Sequence, residues 1–324
     1  MRLPRIRSFR ALVALVAAGS LALTGCSNSE EPADPNATGS TGAAPAATRT
    51  VTHAMGTTEV PAQPTRVVVL DTGELDAVVA LGVTPVGAVT TDVSSDFPSY
   101  LRDKLSGTQK VGTIQQPELE TIASLQPDLI LSNKRRHAEL YDKLSEIAPT
   151  VFAEDVGKVW KENFLLDAEA LGKKAEGERL LAEYEQRAKE LGQSLGDPSS
   201  VTVSAVRFVA GSETIRAYTD NSFLGTVLTD VGVSRPEGQK GTATFNEVSR
   251  ENVAQLNGDV LLYSSYGSPD VSGEKAVTEG PQWAQLSAVQ QGKAFRVDDD
   301  YFYTGIGLTA ANRVLDDLQN YLTK

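Results

Sequence analysis

The sequence predicts an α/β protein with two similar α/β lobes, each on a mostly parallel sheet, joined by one long interlobe helix. Short apolar runs, typical of strands buried on both faces, alternate with segments of helical spacing. A helix-then-strand unit at Glu120–Leu131 recurs with constant spacing as Glu251–Leu262, so the two halves of the chain resemble each other. Between them, Trp160–Leu195 carries apolar residues on a helical period and contains no proline.

The N-terminus has the pattern of a secretory leader. Four arginines and no acid precede an apolar run, Ala11–Leu23, which is shorter than the ~20 residues that a membrane-spanning helix needs. The only cysteine, Cys26, follows directly in Leu-Thr-Gly-Cys, which resembles the lipobox of bacterial lipoproteins. We therefore expect residues 1–25 to be a signal peptide and Cys26 to be acylated; an ordinary secretory signal with an incidental cysteine is the alternative.

Residues 26–50 are predicted to be a flexible tether. The segment is made of small, polar and charged residues with proline and contains no large apolar side chain before Val51. Such a segment buries too little surface to offset the entropy of ordering it. The membrane link is then the lipid on Cys26, and the folded part lies at the extracytoplasmic face of the cell membrane.

The composition excludes several classes of protein. One cysteine excludes a disulfide framework, and two histidines exclude a histidine-rich metal site. Thirty basic against 42 acidic residues leave a formal charge of −12, without the basic stripe of a nucleic-acid-binding protein.

The first lobe is expected at 51–158, beginning with a hairpin at 51–60 around Gly56. Glycine and proline mark the ends of its elements, as at Gly82 after a helix and at Pro149 after another. Strands are predicted at 66–70, 84–89 and 128–131, and helices at 73–81, 119–125 and 141–147.

The second half is expected to consist of the interlobe helix, 159–195, and the second lobe, 196–324. Gly172 and Gly177 interrupt the helical pattern mildly, so a broken pair of helices is the alternative to one long helix. The second lobe begins with the β-branched run 201–208, as expected of a strand.

An ordered set of short segments over nearly all of 51–324 resembles the class III substrate-binding proteins of ABC importers. The similarity is strongest to the iron–siderophore branch, in particular to the actinobacterial type of ferric-siderophore lipoprotein. The resemblance implies a binding protein rather than an enzyme, without a cofactor, acting as a monomer that delivers its ligand to an ABC permease dimer. The segments that carry it include Arg66–Leu70, Ala80–Gly87, Gln126–Leu131, Leu144–Thr150, Ser222–Gly225, Val248–Glu251 and Trp283–Val289.

In that family one surface glutamate of each lobe docks on the permease. The matching positions are Glu120 and Glu251, the same pair that the internal repeat aligns. Each lies near a predicted helix start, where an acid is also favoured by the helix dipole, so a purely local role is the alternative.

Candidate ligand-binding arginines lie at or near strand ends, where open α/β sheets bind their ligands. Arg135 and Arg136 follow the strand at 128–131; a solvated charge run is the alternative. Arg207 lies inside a β-branched strand, where it either faces the cleft or is paired in the core. Arg216 follows on a more polar segment.

Aromatic side chains are expected to form the walls of the cleft, although ordinary packing is an alternative for the cluster around residue 302. Trp160 at the start of the interlobe helix is expected to close the floor, whereas Trp283 is expected to be structural. The aromatic candidates are Tyr218, Tyr266, Trp160, Tyr301 and Tyr303.

The sequence favours a ferric hydroxamate as the ligand. A siderophore already surrounds its iron with oxygen atoms, so the protein needs no metal ligands, only donors and aromatic walls. A ferric tris-catecholate would need clustered cations, and the candidate cations are distributed over both halves of the sequence.

The sequence leaves two alternative functions open. A haem- or corrinoid-binding protein of the same class is the alternative, with Tyr266 or Tyr303 as an axial haem ligand. A hydrolase is a remote alternative, because the sequence contains no Gly-x-Ser-x-Gly, no phosphate-binding loop and no His-Glu-x-x-His, and His53 and His137 are far apart.

Overall fold

The computed structural model describes residues 47–323. The predicted signal peptide, Cys26 and most of the predicted tether lie outside these residues. The described chain begins with the hairpin of β1, Thr48–His53, and β2, Gly56–Pro61. The end of the predicted tether is therefore wrong: Thr48 and Thr50 form part of β1, and both hydroxyls donate to Glu59 on β2.

The first sheet is entirely parallel, with the strand order β5-β4-β3-β6-β7. Its central strands are completely buried, as their apolar sequences predict. The elements are β3 (Val67–Val69), α1 (Thr72–Ala80), β4 (Gly87–Thr90), β5 (Gln109–Thr113), α2 (Leu119–Ser124), β6 (Leu129–Asn133), α3 (Lys134–His137), α4 (Tyr141–Ile147) and β7 (Thr150–Ala153), with 3₁₀ turns at Arg102–Lys104 and Ala138–Leu140.

The connection between the sheets is a pair of helices, α5 (Trp160–Ala170) and α6 (Lys174–Ser194). The prediction of one long helix is wrong, and its alternative, the broken pair, is correct. Gly172 separates the helices with a φ of 72°, and a side chain there would overlap the carbonyl oxygen of Ala62. Gly177 does not break the helix; it lets α6 approach Ala168 of α5 closely.

The second sheet has the strand order β10-β9-β8-β11-β12. Strands β8, β11 and β12 are parallel, whereas β9 is antiparallel to both of its neighbours. The elements are β8 (Val203–Val209), β9 (Thr214–Tyr218), α7 (Phe223–Val231), β10 (Phe245–Ser249), β11 (Val260–Tyr266), α8 (Pro269–Ser272), α9 (Glu274–Thr278), α10 (Ser287–Gln290), β12 (Ala294–Arg296) and α11 (Leu308–Leu322), with 3₁₀ turns at Pro198–Ser200, Glu237–Gln239, Val253–Leu256 and Trp283–Gln285 and a π-helical turn at Asp300–Thr304.

The internal repeat has a structural cause. Asp128 and Asp259 each precede a central strand and accept hydrogen bonds from the backbone that leads into the neighbouring strand, at Arg66 and Thr202 respectively. The repeat is not exact, because the helix before β6 is α2, whereas a 3₁₀ turn precedes β11. Two similar lobes with mostly parallel sheets are confirmed.

The end of the chain ties the two lobes together. The buried carboxylate of Asp76 on α1 accepts hydrogen bonds from the backbone N–H groups of Thr309 and Ala310 at 2.7 and 2.9 Å and from the hydroxyl of Tyr100 at 2.8 Å. A side chain of the first lobe thus caps the N-terminus of α11. Among residues 47–323, no helix is long and apolar enough to cross a bilayer.

Candidate functional site

A cleft of about 290 Å³ lies between the two lobes. The segments that follow β6 and β7 line it on one side, and residues of β8, β9 and the start of β10 line it on the other. Arginines, aromatic rings and a few small polar groups line it. The lining residues are Arg135, Arg136, Asp155, Val156, Gly157, Arg207, Arg216, Tyr218, Ser222, Phe223, Leu224, Thr244, Phe245, Phe302, Tyr303 and Ile306. Four arginines, two from each lobe, therefore converge on one cleft, although they are distributed over both halves of the sequence.

Arg207 is buried and paired with an acid, and it also lines the cleft. Both alternatives that the sequence left open for this residue therefore apply. Its guanidinium forms a bidentate ion pair with Asp299, through Nε at 2.7 Å and through Nη2, and Nη2 also donates to the hydroxyl of Thr304 at 2.7 Å. Burial opposes the charge, but Tyr218 and Asp299 raise the pKa of Arg207 above its ordinary value. Arg207 therefore remains a fixed cation.

Arg216 lies opposite Arg207 on the antiparallel strand β9. Its guanidinium stacks over the ring of Phe245, with 4.3 Å from Cζ to the ring centroid, and its buried Nε has no hydrogen-bond partner. No acid within residues 47–323 forms a salt bridge with it, whereas Arg207 is paired with Asp299. Arg216 thus lines the cleft without an ion pair in the described residues, although Glu247 lies opposite it on β10.

The first lobe contributes Arg135 and Arg136 from the short helix α3. Asn133 caps this helix, because its side-chain oxygen accepts the backbone N–H of Arg136 at 3.0 Å. The cap fixes the backbone position of both arginines. Arg136 donates from Nε to Asp71 at 3.0 Å, and the charge of Asp71 raises the pKa of Arg136. Arg135 lies 3.5 Å from Asp155 and is 57% exposed, so this pair is loose.

The aromatic wall belongs to the second lobe. Tyr218 packs between Phe245 and Tyr303, with ring centroids 5.7 and 4.9 Å away. Tyr266 is not among the lining residues, but its ring lies under the guanidinium of Arg207 at 4.5 Å. The hydroxyl of Tyr303 donates to the carbonyl oxygens of Val206 and Leu262, and burial raises its pKa. A tyrosinate ligand for haem is therefore disfavoured at Tyr303.

Two predicted site residues lie elsewhere. Trp160 is completely buried behind the cleft: its ring packs against Phe223 and Tyr184, and its Nε1 donates to Thr226 at 2.9 Å. Tyr301 points away from the cleft and donates to Asp317 at 2.7 Å. The sequence showed aromatic residues near a junction but not which of them packs inward. Trp283 is buried between Phe208 and Tyr263, so its structural role is confirmed.

Several lining residues were not predicted. Phe245 and Thr244 come from the edge of the second sheet, and Phe302 comes from the π-helical turn next to the predicted Tyr301 and Tyr303. Asp155 follows β7, so the rule that cleft residues come after strand ends would have found it. Phe245 has no such signal, because it begins its strand rather than ending it.

Glu120 and Glu251 occupy corresponding places in the two lobes. Each is exposed and follows the outermost strand on one side of its sheet, β5 in the first lobe and β10 in the second. These strands run in the same direction as the central strands β3 and β8. The two glutamates therefore occupy corresponding positions relative to the two sheets.

Comparison with known proteins agrees with this architecture. The model of the family described as periplasmic binding protein matches residues 67–301. The probable siderophore-binding lipoprotein YfiY of Bacillus subtilis is 39% identical over 316 residues, which cover 94% of this chain and 95% of YfiY. The Fe(3+)-citrate-binding protein YfmC of the same organism is 31% identical over 317 residues, which cover 96% and 97%.

A solved structure shows the same fold. Staphylococcus aureus SirA, complexed with staphyloferrin B, superposes with a TM-score of 0.75 at 30% identity, over 85% of this chain and 98% of SirA. The resemblance of the sequence to substrate-binding proteins is thereby confirmed. Its fold, its two-lobed cleft and these matches together place this chain in the periplasmic binding protein family, whose members are binding proteins rather than enzymes.

Proposed function

We propose that the interlobe cleft binds a ferric siderophore of net negative charge and that the protein delivers it to an ABC permease. The observation that carries this proposal is the convergence of Arg135, Arg136, Arg207 and Arg216 on one cleft with an aromatic wall. Guanidinium groups donate in a fork that matches carboxylate oxygens, and the rings suit the less polar parts of a chelator. The iron stays in the siderophore's own oxygen shell and is the cargo.

The charge of the cleft indicates which siderophores fit. Asp155, Asp71 and Asp299 each form an ion pair with one of the arginines, whereas Arg216 forms none within residues 47–323. A chelate with carboxylate groups and a small negative charge would match this balance better than a neutral hydroxamate or a highly charged tris-catecholate. The relatives named for Fe(3+)-citrate and for staphyloferrin B support this choice. It replaces the preference for a hydroxamate, whose premise was scattered cations.

Fluorescence titration of the purified protein tests the ligand class. Trp160 packs on Phe223, a residue of the cleft wall, so a bound ferric chelate is expected to quench its emission. The panel is ferric citrate, a neutral ferric trihydroxamate, a ferric tris-catecholate and haem. We expect tightest binding of ferric citrate or another anionic carboxylate chelate. Quenching by haem alone would favour the haem-binding alternative, and no quenching by any ferric chelate at micromolar concentration would contradict the proposal.

We also propose that Glu120 and Glu251 contact a permease dimer, one glutamate for each subunit. Their exposure and their corresponding places on the two lobes support this role. The double variant Glu120→Lys/Glu251→Lys should abolish uptake of the iron chelate while the purified protein still binds it. A matched control is Glu178→Lys/Glu279→Lys, which reverses two other exposed glutamates. Normal uptake of the iron chelate with Glu120→Lys/Glu251→Lys would contradict the docking role.

Attachment to the membrane through Cys26 is the last part of the proposal, with the protein as a monomer on the extracytoplasmic face. The leader pattern of residues 1–25 and the position of the only cysteine support it. Replacing Cys26 by alanine should release the protein from the membrane fraction and abolish incorporation of labelled palmitate. Retention of the variant on the membrane would contradict the lipid anchor.

A further inference from the structure

Behind Arg136 lies a buried network that the proposed function does not use. Asp71 accepts the Nε of Arg136 at 3.0 Å and the side-chain N–H of Asn133 at 3.1 Å. Asn133 also donates to the carboxylate of Glu74 at 3.1 Å, and its own oxygen accepts the backbone N–H of Arg136. Asp71, Glu74 and Asn133 are each at most 2% exposed. A continuous chain of hydrogen bonds thus links an arginine of the cleft to the buried Glu74.

A third carboxyl group completes the cluster. Asp167 of α5 is 2% exposed and lines, together with Asp71 and Glu74, a small cavity of about 10 Å³, about the room of one water molecule. The other lining residues of this cavity are uncharged, among them Val156, Phe164 and Ile306. Three acids therefore line one small cavity in an interior where charge is poorly solvated, and the guanidinium of Arg136 pairs with one of them, Asp71.

The titratable groups that face Glu74 are few. They are Asp71 before α1, Arg136 on α3 and Asp167 on α5, and His137 is close enough to Asp71 and Arg136 to sense their charge. Burial lowers the pKa of His137, so it is neutral near pH 7. Burial and the charge of Asp71 raise the pKa of Glu74 to about 7, and burial next to Glu74 raises that of Asp167. The cluster is therefore not fully ionised near neutral pH.

We propose that Glu74 is a positioning residue that orients Arg136 through Asn133 and Asp71, and that binding of an anionic siderophore at Arg136 draws a proton from solvent onto this cluster. A negative ligand at Arg136 offsets the positive charge that stabilises the carboxylates, so the cluster holds its proton more tightly in the complex. By linkage the affinity falls as the pH rises through neutrality, because the protonated cluster is the form that prefers the ligand. This inference rests on the proposed function.

Isothermal calorimetry with ferric citrate tests the inference. The protonation enthalpies of phosphate and Tris buffers differ, so titrations in both at about pH 7 yield the number of protons taken up on binding. We expect a fractional uptake for the wild-type protein and none for Glu74→Gln. The control is Glu154→Gln, the same change at an exposed glutamate paired with Lys134 of α3, and its uptake should equal that of the wild type. A merely structural role of Glu74 would leave the proton count unchanged.

The outcomes separate the two proposals. Binding without proton uptake, or uptake that persists in Glu74→Gln, overturns the inference and leaves the proposed function standing. If Glu74→Gln does not fold, the pH profile of the wild-type protein decides: the dissociation constant should rise about three- to tenfold between about pH 6 and pH 8, and a flat profile overturns the inference. If no anionic ferric chelate binds, the proposed function fails and the inference falls with it.

Discussion

The two lobes bring arginines to the same cleft in different ways. In the second lobe, Arg207 and Arg216 are cross-strand neighbours within the sheet, and the side chain of Arg207 is only 8% exposed. In the first lobe, Arg135 and Arg136 lie in a short helix after β6, and their side chains are 57% and 33% exposed. Both pairs carry the same charge, but only the second pair is built into the body of a sheet.

The topology of the sheets explains the difference. In the entirely parallel first sheet, side chains reach the cleft only from the segments that follow the strand ends. The antiparallel hairpin of β8 and β9 instead extends to the cleft, so residues within its strands face the ligand site. The second lobe therefore offers preorganised donors, whereas the first lobe offers donors that can adjust to the ligand.

The largest expected effect is on Arg207, whose removal tests the preorganisation of the second lobe. In Arg207→Leu the carboxylate of Asp299 loses its bidentate partner, which should lower the free energy of unfolding by about 3 kcal/mol and abolish ligand binding. Urea unfolding measures the first effect. Arg207→Leu/Asp299→Leu should recover most of the stability but not the binding. A single variant as stable as the wild type would refute the preorganisation.

The second prediction compares one acid of each lobe, Asp76 and Asp230, by the pH dependence of their contribution to stability. The buried Asp76 of α1 has no cationic partner in the described chain, and burial raises its pKa to about 6, whereas Asp230 of α7 is paired with Lys161 at 2.8 Å. The unfolded carboxyl group ionises first as the pH rises, so the contribution of Asp76 to stability is lost between about pH 4 and pH 6.

Unfolding of Asp76→Asn across this pH range measures the effect. We expect the stability of the variant relative to the wild type to improve by on the order of 2 kcal/mol as the pH rises from about 4 to 7. Asp230→Asn is the comparison in the second lobe, at a carboxylate that has a cationic partner. A constant difference between Asp76→Asn and the wild type would mean that Asp76 ionises normally.

A third prediction separates affinity from stability within the second lobe. Arg216→Ala should weaken binding of ferric citrate about tenfold or more, because a charged donor to the ligand is lost. Its stability should change little, since the buried Nε has no partner and the neighbouring Arg207 is also positive. Arg216→Lys keeps the charge but not the planar stack on Phe245. Its affinity for ferric citrate, measured by fluorescence titration, should lie between those of the wild type and Arg216→Ala. Wild-type affinity in Arg216→Ala would remove this residue from the site.

The smallest expected effect is at Arg135. Among the three cleft arginines that form ion pairs, Arg135 has the most exposed side chain. Arg135→Gln should weaken binding about two- to threefold at low salt, and the difference should vanish near 1 M salt. The same titration at the two ionic strengths measures it. A loss as large as that of Arg216→Ala would show that the first lobe is as preorganised as the second.

Much of the site could be predicted from the sequence, because strand ends can be recognised locally. This rule led to Arg135 and Arg136, and the cost of burying charge drew attention to Arg207. It failed for Trp160 and Tyr301, since both are aromatic residues near the right junction whose side chains pack away from the cleft.

The sequence by itself determined the two-lobed α/β architecture, because buried strands, helix ends and the helix-then-strand repeat around Asp128 and Asp259 depend on local apolar patterns. Only the tertiary structure decided that four arginines share one cleft, that Asp299 holds Arg207, and that Gly172 divides the connection into two helices. These facts depend on contacts between residues far apart in the chain. Such contacts leave no periodic pattern, because they are set by how the sheets and helices pack together.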